Sequence, residues 1–71
     1  MAEVRSLSPG KIWKMLVAPG DDIAAGATVF IMEVMKMEIP HEAPAAGTVS
    51  AVHFGEGDEI PDEDLVVVEI A

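Results

Sequence analysis

A shift of 37 positions, which carries Gly10 onto Gly47, lays this 71-residue chain onto itself. Ile12 then falls on Val49, Met15 on Val52 and Val17 on Phe54. Gly20-Asp21-Asp22-Ile23 falls on Gly57-Asp58-Glu59-Ile60, Val29 on Val66 and Ile31 on Val68. Few residues are identical, yet the apolar phase and both Gly-Asp turns coincide. A repeated unit of this kind constrains architecture, because one unit cannot bury its apolar face alone. Two halves related by a pseudo-twofold axis are expected to close one core. The length suits one small domain over residues 1–71, and a domain of this size buries only about 60% of its unfolded surface.

Helix signals are poor. Pro and Gly recur at Pro9-Gly10, Pro19-Gly20, Gly26, Pro40, Pro44, Gly47, Gly55, Gly57 and Pro61. Between them lie short segments rich in β-branched residues, the pattern of an all-β domain. Strands are expected at Val4–Leu7, Lys11–Val17, Thr28–Val34, Met37–His41, Thr48–Phe54 and Leu65–Ile70, with very short ones at Asp22–Ile23 and Glu59–Ile60. Ile12, Met15 and Val17 are spaced three then two, as are Val49, Val52 and Phe54, whereas a flat strand keeps a period of two. A bulge in each half would bring all three side chains to one side. Glycine at positions 20 and 57 suits a positive φ, and the Asp that follows can bond the turn's own backbone.

Thr28 to Pro40 contains no Gly, Asn or Asp and would read as one strand. At about 3.3 Å per residue it would reach about 43 Å, whereas a compact chain of this length has a radius of gyration near 11 Å and is about 30 Å across. The run must therefore reverse. Glu33-Val34-Met35-Lys36-Met37-Glu38 is nearly palindromic. A two-residue turn at Met35-Lys36 would pair Val34 with Met37, Glu33 with Glu38 and Met32 with Ile39. It makes Lys36 the outermost point. Such a turn wants φ > 0 at both central positions, which Met and Lys resist, and strain without structural benefit points toward function. Two glutamates facing each other are destabilising. They are read as possible recognition elements for basic groups on a modifying or client enzyme, alongside Val34.

Composition narrows the function classes. With no cysteine there are no disulfides or thiolate metal sites. Four basic residues against thirteen acidic leave a net charge of −9, which repels phosphate backbones and anionic lipid. Neither nucleic acid nor membrane is expected as a partner, and enzymes with basic docking surfaces are favoured. No stretch approaches the ~18 apolar residues of a membrane span. The opening Met1-Ala2-Glu3-Val4-Arg5 is not read as a secretory signal, so the protein is placed in the cytoplasm. No convergent acid–base or nucleophilic set is recognisable, so no catalytic residue is assigned.

Gly10-Lys11-Ile12, Gly20-Asp21-Asp22-Ile23, Glu33-Val34-Met35-Lys36-Met37-Glu38, Ala43-Pro44-Ala45-Ala46-Gly47-Thr48-Val49 and Gly57-Asp58 together resemble the biotinyl (biotin carboxyl carrier) domains of biotin-dependent carboxylases. The resemblance runs from about Arg5 to Ile70 and is close to the small free-standing biotin/lipoyl attachment proteins. It implies a flattened β-barrel or sandwich of two four-stranded antiparallel sheets with pseudo-twofold symmetry, the biotinyl/lipoyl hammerhead fold. It also implies covalent biotin on Lys36, with Met35 and Met37 as flanking recognition residues. Val34 departs from the commonest bacterial pattern, which has Ala. The implied partners are a biotin protein ligase, a biotin carboxylase that loads the ring with CO2, and a carboxyltransferase that passes the carboxyl group on. The carrier itself is non-catalytic. Tethering makes the second encounter intramolecular, at local concentrations reaching the mM range. The alternatives are a lipoyl carrier of a 2-oxo-acid dehydrogenase or glycine cleavage system, where Asp-Lys-Ala is usual at the turn, and an unmodified interaction module.

Among the other residues, His41 and His53 are read as ordinary surface or half-buried histidines rather than a metal pair. Trp13 falls within the expected bulge, where partner contact and cross-strand packing both suit it. Met32 is assigned to the core, whereas Met35 and Met37 have little core to fill at a hairpin tip.

Overall fold

The computed structural model describes residues 2–71, which form eight strands. They are β1 (Ala2–Arg5), β2 (Gly10–Met15), β3 (Asp22–Ile23), β4 (Thr28–Val34), β5 (Met37–Glu42), β6 (Gly47–Val52), β7 (Glu59–Ile60) and β8 (Val66–Ile70). Two four-stranded sheets result, ordered β1-β8-β6-β3 and β5-β4-β2-β7. All the pairings are antiparallel. The 37-residue shift takes β1 to β5, β2 to β6, β3 to β7 and β4 to β8, so it converts one sheet order into the other. The expected pseudo-twofold is therefore the organising relation of the fold.

The halves interlock through their Gly-Asp turns. The Ile12 N–H donates to Asp58 O at 2.9 Å and the Gly57 N–H donates to Ile12 O at 2.8 Å. In the other half the Val49 N–H donates to Asp21 O and the Gly20 N–H to Val49 O, both at 2.8 Å. Each turn thus clasps a long strand of the opposite half. Its Asp closes the turn as expected: Asp21 Oδ2 accepts from Ala18 N–H at 2.9 Å and Asp58 Oδ2 from Gly55 N–H at 2.8 Å.

Both bulges are present. Pairing of β2 with β4 steps from Ile12↔Met32 to Lys14↔Ile31, which leaves Trp13 as the extra residue. Pairing of β6 with β8 steps from Val49↔Ile70 to Ala51↔Glu69, which leaves Ser50. Beyond each bulge Met15, Val17, Val52 and Phe54 return to pack on the core. That core is aliphatic around one ring: Phe30, Ile12, Met32, Ile60, Ile70, Val29, Val49, Val67 and Val68 are all fully buried. Glycine is needed at two twofold-related close approaches. A Cβ on Gly10 would lie 2.7 Å from Glu33 O and 2.8 Å from Val34 Cγ2, and one on Gly47 would lie 2.5 Å from Ala71 O.

The expected bounds of β3, β4 and β7 coincide with the observed ones, and the principal extents of 31 × 18 × 18 Å match the size argument for a reversal. β1 is displaced: it spans Ala2–Arg5, not Val4–Leu7. Its bounds follow the Ala2↔Ile70 register with β8. Ser6 leaves the ladder with its side chain buried, donating to Asp62 O and accepting from Leu65 N–H, both at 3.0 Å. β2 and β6 each stop two residues early, at Met15 and Val52, although Leu16 and His53 still donate to Val29 O and Val67 O. Among the described residues no helix is long and apolar enough to cross a membrane.

Candidate functional site

The β4–β5 hairpin closes at Met35-Lys36 with φ of 50° and 66°. Both central residues lie in the left-handed region, the geometry of the tight two-residue turn that matches strand twist. Its register pairs Val34 with Met37, Glu33 with Glu38 and Met32 with Ile39, as the palindrome implied. Alternation along β4 divides the hairpin between core and solvent. Phe30 and Met32 are buried, Val34 is half-buried and packs on the core, and Glu33 is exposed. Val34 therefore serves the fold, because its methyl fills the space that the missing side chain of Gly10 leaves open.

Past Val34 the core ends. Met35 is 92% exposed and Met37 66%, so neither contributes to packing. Lys36 stands exposed between them and takes part in none of the salt bridges among the described residues. A primary amine on a rigid two-stranded stalk, outside every one of those ion pairs, is free to enter another enzyme's active site and accept an acyl group. The adaptable thioether side chains beside it offer an apolar contact that is set by position rather than by folding.

The like-charged pair is real in register, and the structure adds a residue that sequence reasoning did not connect to it. Lys11 stands opposite Glu33 on β2, while Glu38 stands opposite Glu33 on β5. The carboxylate of Glu33 is thus flanked by one cation and one anion. No sequence signal carried it, because the β2–β4 register brings together residues 22 positions apart (33 − 11).

The two histidines are placed in unlike settings. His41 is 4% exposed, buried rather than superficial or half-buried as expected, because its ring stacks on Phe30 with centroids 4.3 Å apart and an interplanar angle of 22°. Its Nδ1 donates to Ile39 O at 3.1 Å and its Nε2 accepts from Leu7 N–H at 3.2 Å, so both nitrogens are engaged by backbone. Burial lowers its pKa below the usual histidine value, partly opposed by the bond to Ile39. His53, just beyond the end of β6, is paired instead with Glu69 on β8. Among the described residues no group of His, Asp and Glu is arranged to hold a metal ion.

The profile of the Biotin_lipoyl family, described as "Biotin-requiring enzyme", matches residues 2–69. The chain belongs to this family. As a biotin/lipoyl domain it is 42% identical over 69 residues to the "Biotinylated protein TB7.3 homolog" of Mycobacterium leprae, an alignment covering 96% of this chain and 97% of that one. It is 43% identical over 58 residues to the "Biotin/lipoyl attachment protein" of Bacillus subtilis, covering 82% and 80%. Among solved structures, the Kluyveromyces lactis urea carboxylase superposes with a TM-score of 0.84 at 36% identity, over 99% of this chain and 6% of that one. The domain likewise spans only 9% of the human "Propionyl-CoA carboxylase alpha chain, mitochondrial", to which it is 39% identical over 64 residues.

Proposed function

We propose that this chain is a non-catalytic carrier that holds biotin as an amide on Lys36 and presents it to the enzymes of a biotin-dependent carboxylase system. The observation that carries the reading is the tip itself: an exposed lysine held at positive φ between two exposed methionines. The names of the relatives support biotin as the cofactor, since they include a biotinylated protein and a carboxylase. The donor chemistry fits, because amide formation needs an amine and a free approach, and Lys36 has both. When bound, biotin supplies the ureido nitrogen that takes up and releases a carboxyl group.

The chain's own residues do three things in this reading. The β4–β5 stalk holds the lysine at a fixed distance from the core, so a partner's active site can admit the arm without meeting the domain. Met35 and Met37 give a biotin protein ligase an apolar handhold on each side of the amine. Glu33 and Glu38 mark the stalk with negative charge for basic groups on the ligase, the biotin carboxylase and the carboxyltransferase. The net charge of −9 extends that complementarity over the whole surface. We assign these partners, and the cytoplasm as their compartment, to the single carrier domain formed by residues 1–71.

The test is the intact mass of the chain after incubation with a biotin protein ligase, ATP and biotin, beside Lys36→Ala. One biotinyl increment on the native chain and none on the variant is expected, with identical thermal unfolding of the two unmodified proteins. An unchanged native mass, or an increment only from a lipoyl-attaching enzyme, would overturn the reading.

A further inference from the structure

Beside the hairpin lies an open groove of about 360 Å³ lined by Lys11, Ile12, Trp13, Glu33, Glu56 and Gly57. Its volume is within the roughly 300–1,000 Å³ of small-molecule sites. The twofold relation shows what is particular about it. The fold requires an extra residue at each bulge, and in the other half that residue is Ser50, whose hydroxyl merely donates to Glu69 O at 3.2 Å. Here it is a tryptophan, 41% exposed, with Lys14 Nζ 5.6 Å from its ring centroid. Packing does not demand an indole at this place. The second Gly-Asp turn, clasped on Ile12, brings Glu56 to the same groove, and Glu56 Oε1 is held by the Met15 N–H at 3.2 Å.

We propose that this groove is a resting site for the head group of the biotin arm on Lys36, an inference that rests on the biotin reading above. Reach permits it. Glu33 lies three residues before Lys36 and, with Met35-Lys36 folded into the turn, is at most about 10 Å away. The lysine stem, the amide and the acyl chain of biotin comprise roughly eleven bonds, about 13 Å when extended. Chemistry favours it. The sulfur-bearing ring of biotin is apolar and suits an indole platform, where sulfur–aromatic contacts are favourable. The ureido group has two N–H donors and one carbonyl acceptor, and the groove offers the carboxylates of Glu33 and Glu56 with the ammonium of Lys11. The two carboxylates are balanced by Lys11 and by Lys14 at the indole, which leaves a site suited to an uncharged head. The groove therefore shelters the idle arm.

Trp13 is the chain's one tryptophan, so its emission reads the groove directly. The full chain is compared unmodified and biotinylated, with intact mass showing one biotinyl group before any optical measurement. An arm tethered at an effective concentration in the mM range fills a site of ~1 mM intrinsic affinity about half the time. Biotinylation is thus expected to lower acrylamide quenching of Trp13 about twofold and to shift its emission to the blue. Lys36→Gln, neutral but without the head, should stay at the unmodified level. Biotinylated Lys11→Met should lose the protection while keeping its full mass increment. Equal quenching in the modified and unmodified chains, or full protection in Lys11→Met, overturns the groove and leaves the carrier reading standing. A missing mass increment overturns the carrier reading and the groove with it.

Discussion

The Gly-Asp turns and the Met-Lys turn demand the same left-handed backbone, and they meet the demand with opposite residues. At Gly20 and Gly57 φ is 97° and 86°, no atom lies within 4 Å of where a side chain would begin, and glycine adopts the conformation freely. These turns exist to interlock the halves, so the residue that folds most easily occupies them. At the tip, Met35 and Lys36 adopt φ of 50° and 66° with side chains that oppose it. A left-handed residue bearing a Cβ costs roughly 1–2 kcal/mol. The tip touches no core, so nothing in the fold recovers that cost. At the Gly-Asp turns the chain uses the permissive residue, and at the tip, where the proposed attachment lysine is displayed, it accepts the strained one.

The contrast is open to direct attack. The largest effects are expected from Gly10→Ala and Gly47→Ala; at Gly10 the new Cβ meets the carbonyl of Glu33, near the end of β4, and the methyl of Val34. Overpacking of this kind typically costs about 1–3 kcal/mol, and urea unfolding should show Gly10→Ala and Gly47→Ala destabilised to a similar extent. At Gly47 the new Cβ meets the carbonyl of Ala71 at 2.5 Å and the Ile70 Cγ2 at 2.7 Å, an approach as close as that at Gly10. A loss at one of the two sites alone would show that the twofold relation does not extend to these close approaches.

Replacing the tip by the residues its geometry prefers, Met35→Asn with Lys36→Gly, should raise stability by about 1–2 kcal/mol. The same double variant should take up no biotin, a divergence of stability and function measurable by chemical denaturation and intact mass. A variant less stable than the native chain would mean that Met35 and Lys36 contribute unsuspected packing. Gly20→Ala and Gly57→Ala are then expected to lose roughly 1 kcal/mol each. The two losses should be nearly equal if the twofold relation extends to energetics.

The smallest effect belongs to the hairpin root, where His41 is buried and neutral. Its folded pKa lies below its unfolded one, so on acidification the unfolded chain takes up the proton first. The stability that neutral His41 contributes is intact above the ordinary histidine pKa of about 6.5, and it declines as pH falls below that value. Thermal unfolding between pH 7.5 and 5.5 should show the advantage of the native chain over His41→Gln shrinking toward the acid end. An advantage that does not change with pH would mean that His41 is solvated.

Much of this molecule is legible in its sequence, because the determining signals are local or periodic. The 37-residue shift, the three-then-two apolar spacing and the palindrome around Lys36 carry the pseudo-twofold, the bulges at Trp13 and Ser50, and the hairpin register. The start of β1 is misplaced by sequence reasoning because nothing between Ala2 and Leu7 marks where pairing ends. The register with β8 and the buried hydroxyl of Ser6 decide that boundary. His41 reads as an ordinary surface or half-buried histidine because its stacking partner lies eleven positions earlier, on the neighbouring strand and behind an irregularity in register between Thr28 and Phe30.

By itself, then, the sequence determined that the chain is all-β, that it is built twice over, and that one lysine stands at its outermost turn. Backbone propensity and side-chain alternation act over a few residues and leave their period in the sequence. The tertiary structure alone decided that Lys11 flanks Glu33, that His41 is buried against Phe30 with its Nε2 on the Leu7 N–H, and that Trp13 and Glu56 share a groove beside the hairpin. Those meetings depend on how one half clasps the other, and a contact between residues tens of positions apart leaves no periodic trace.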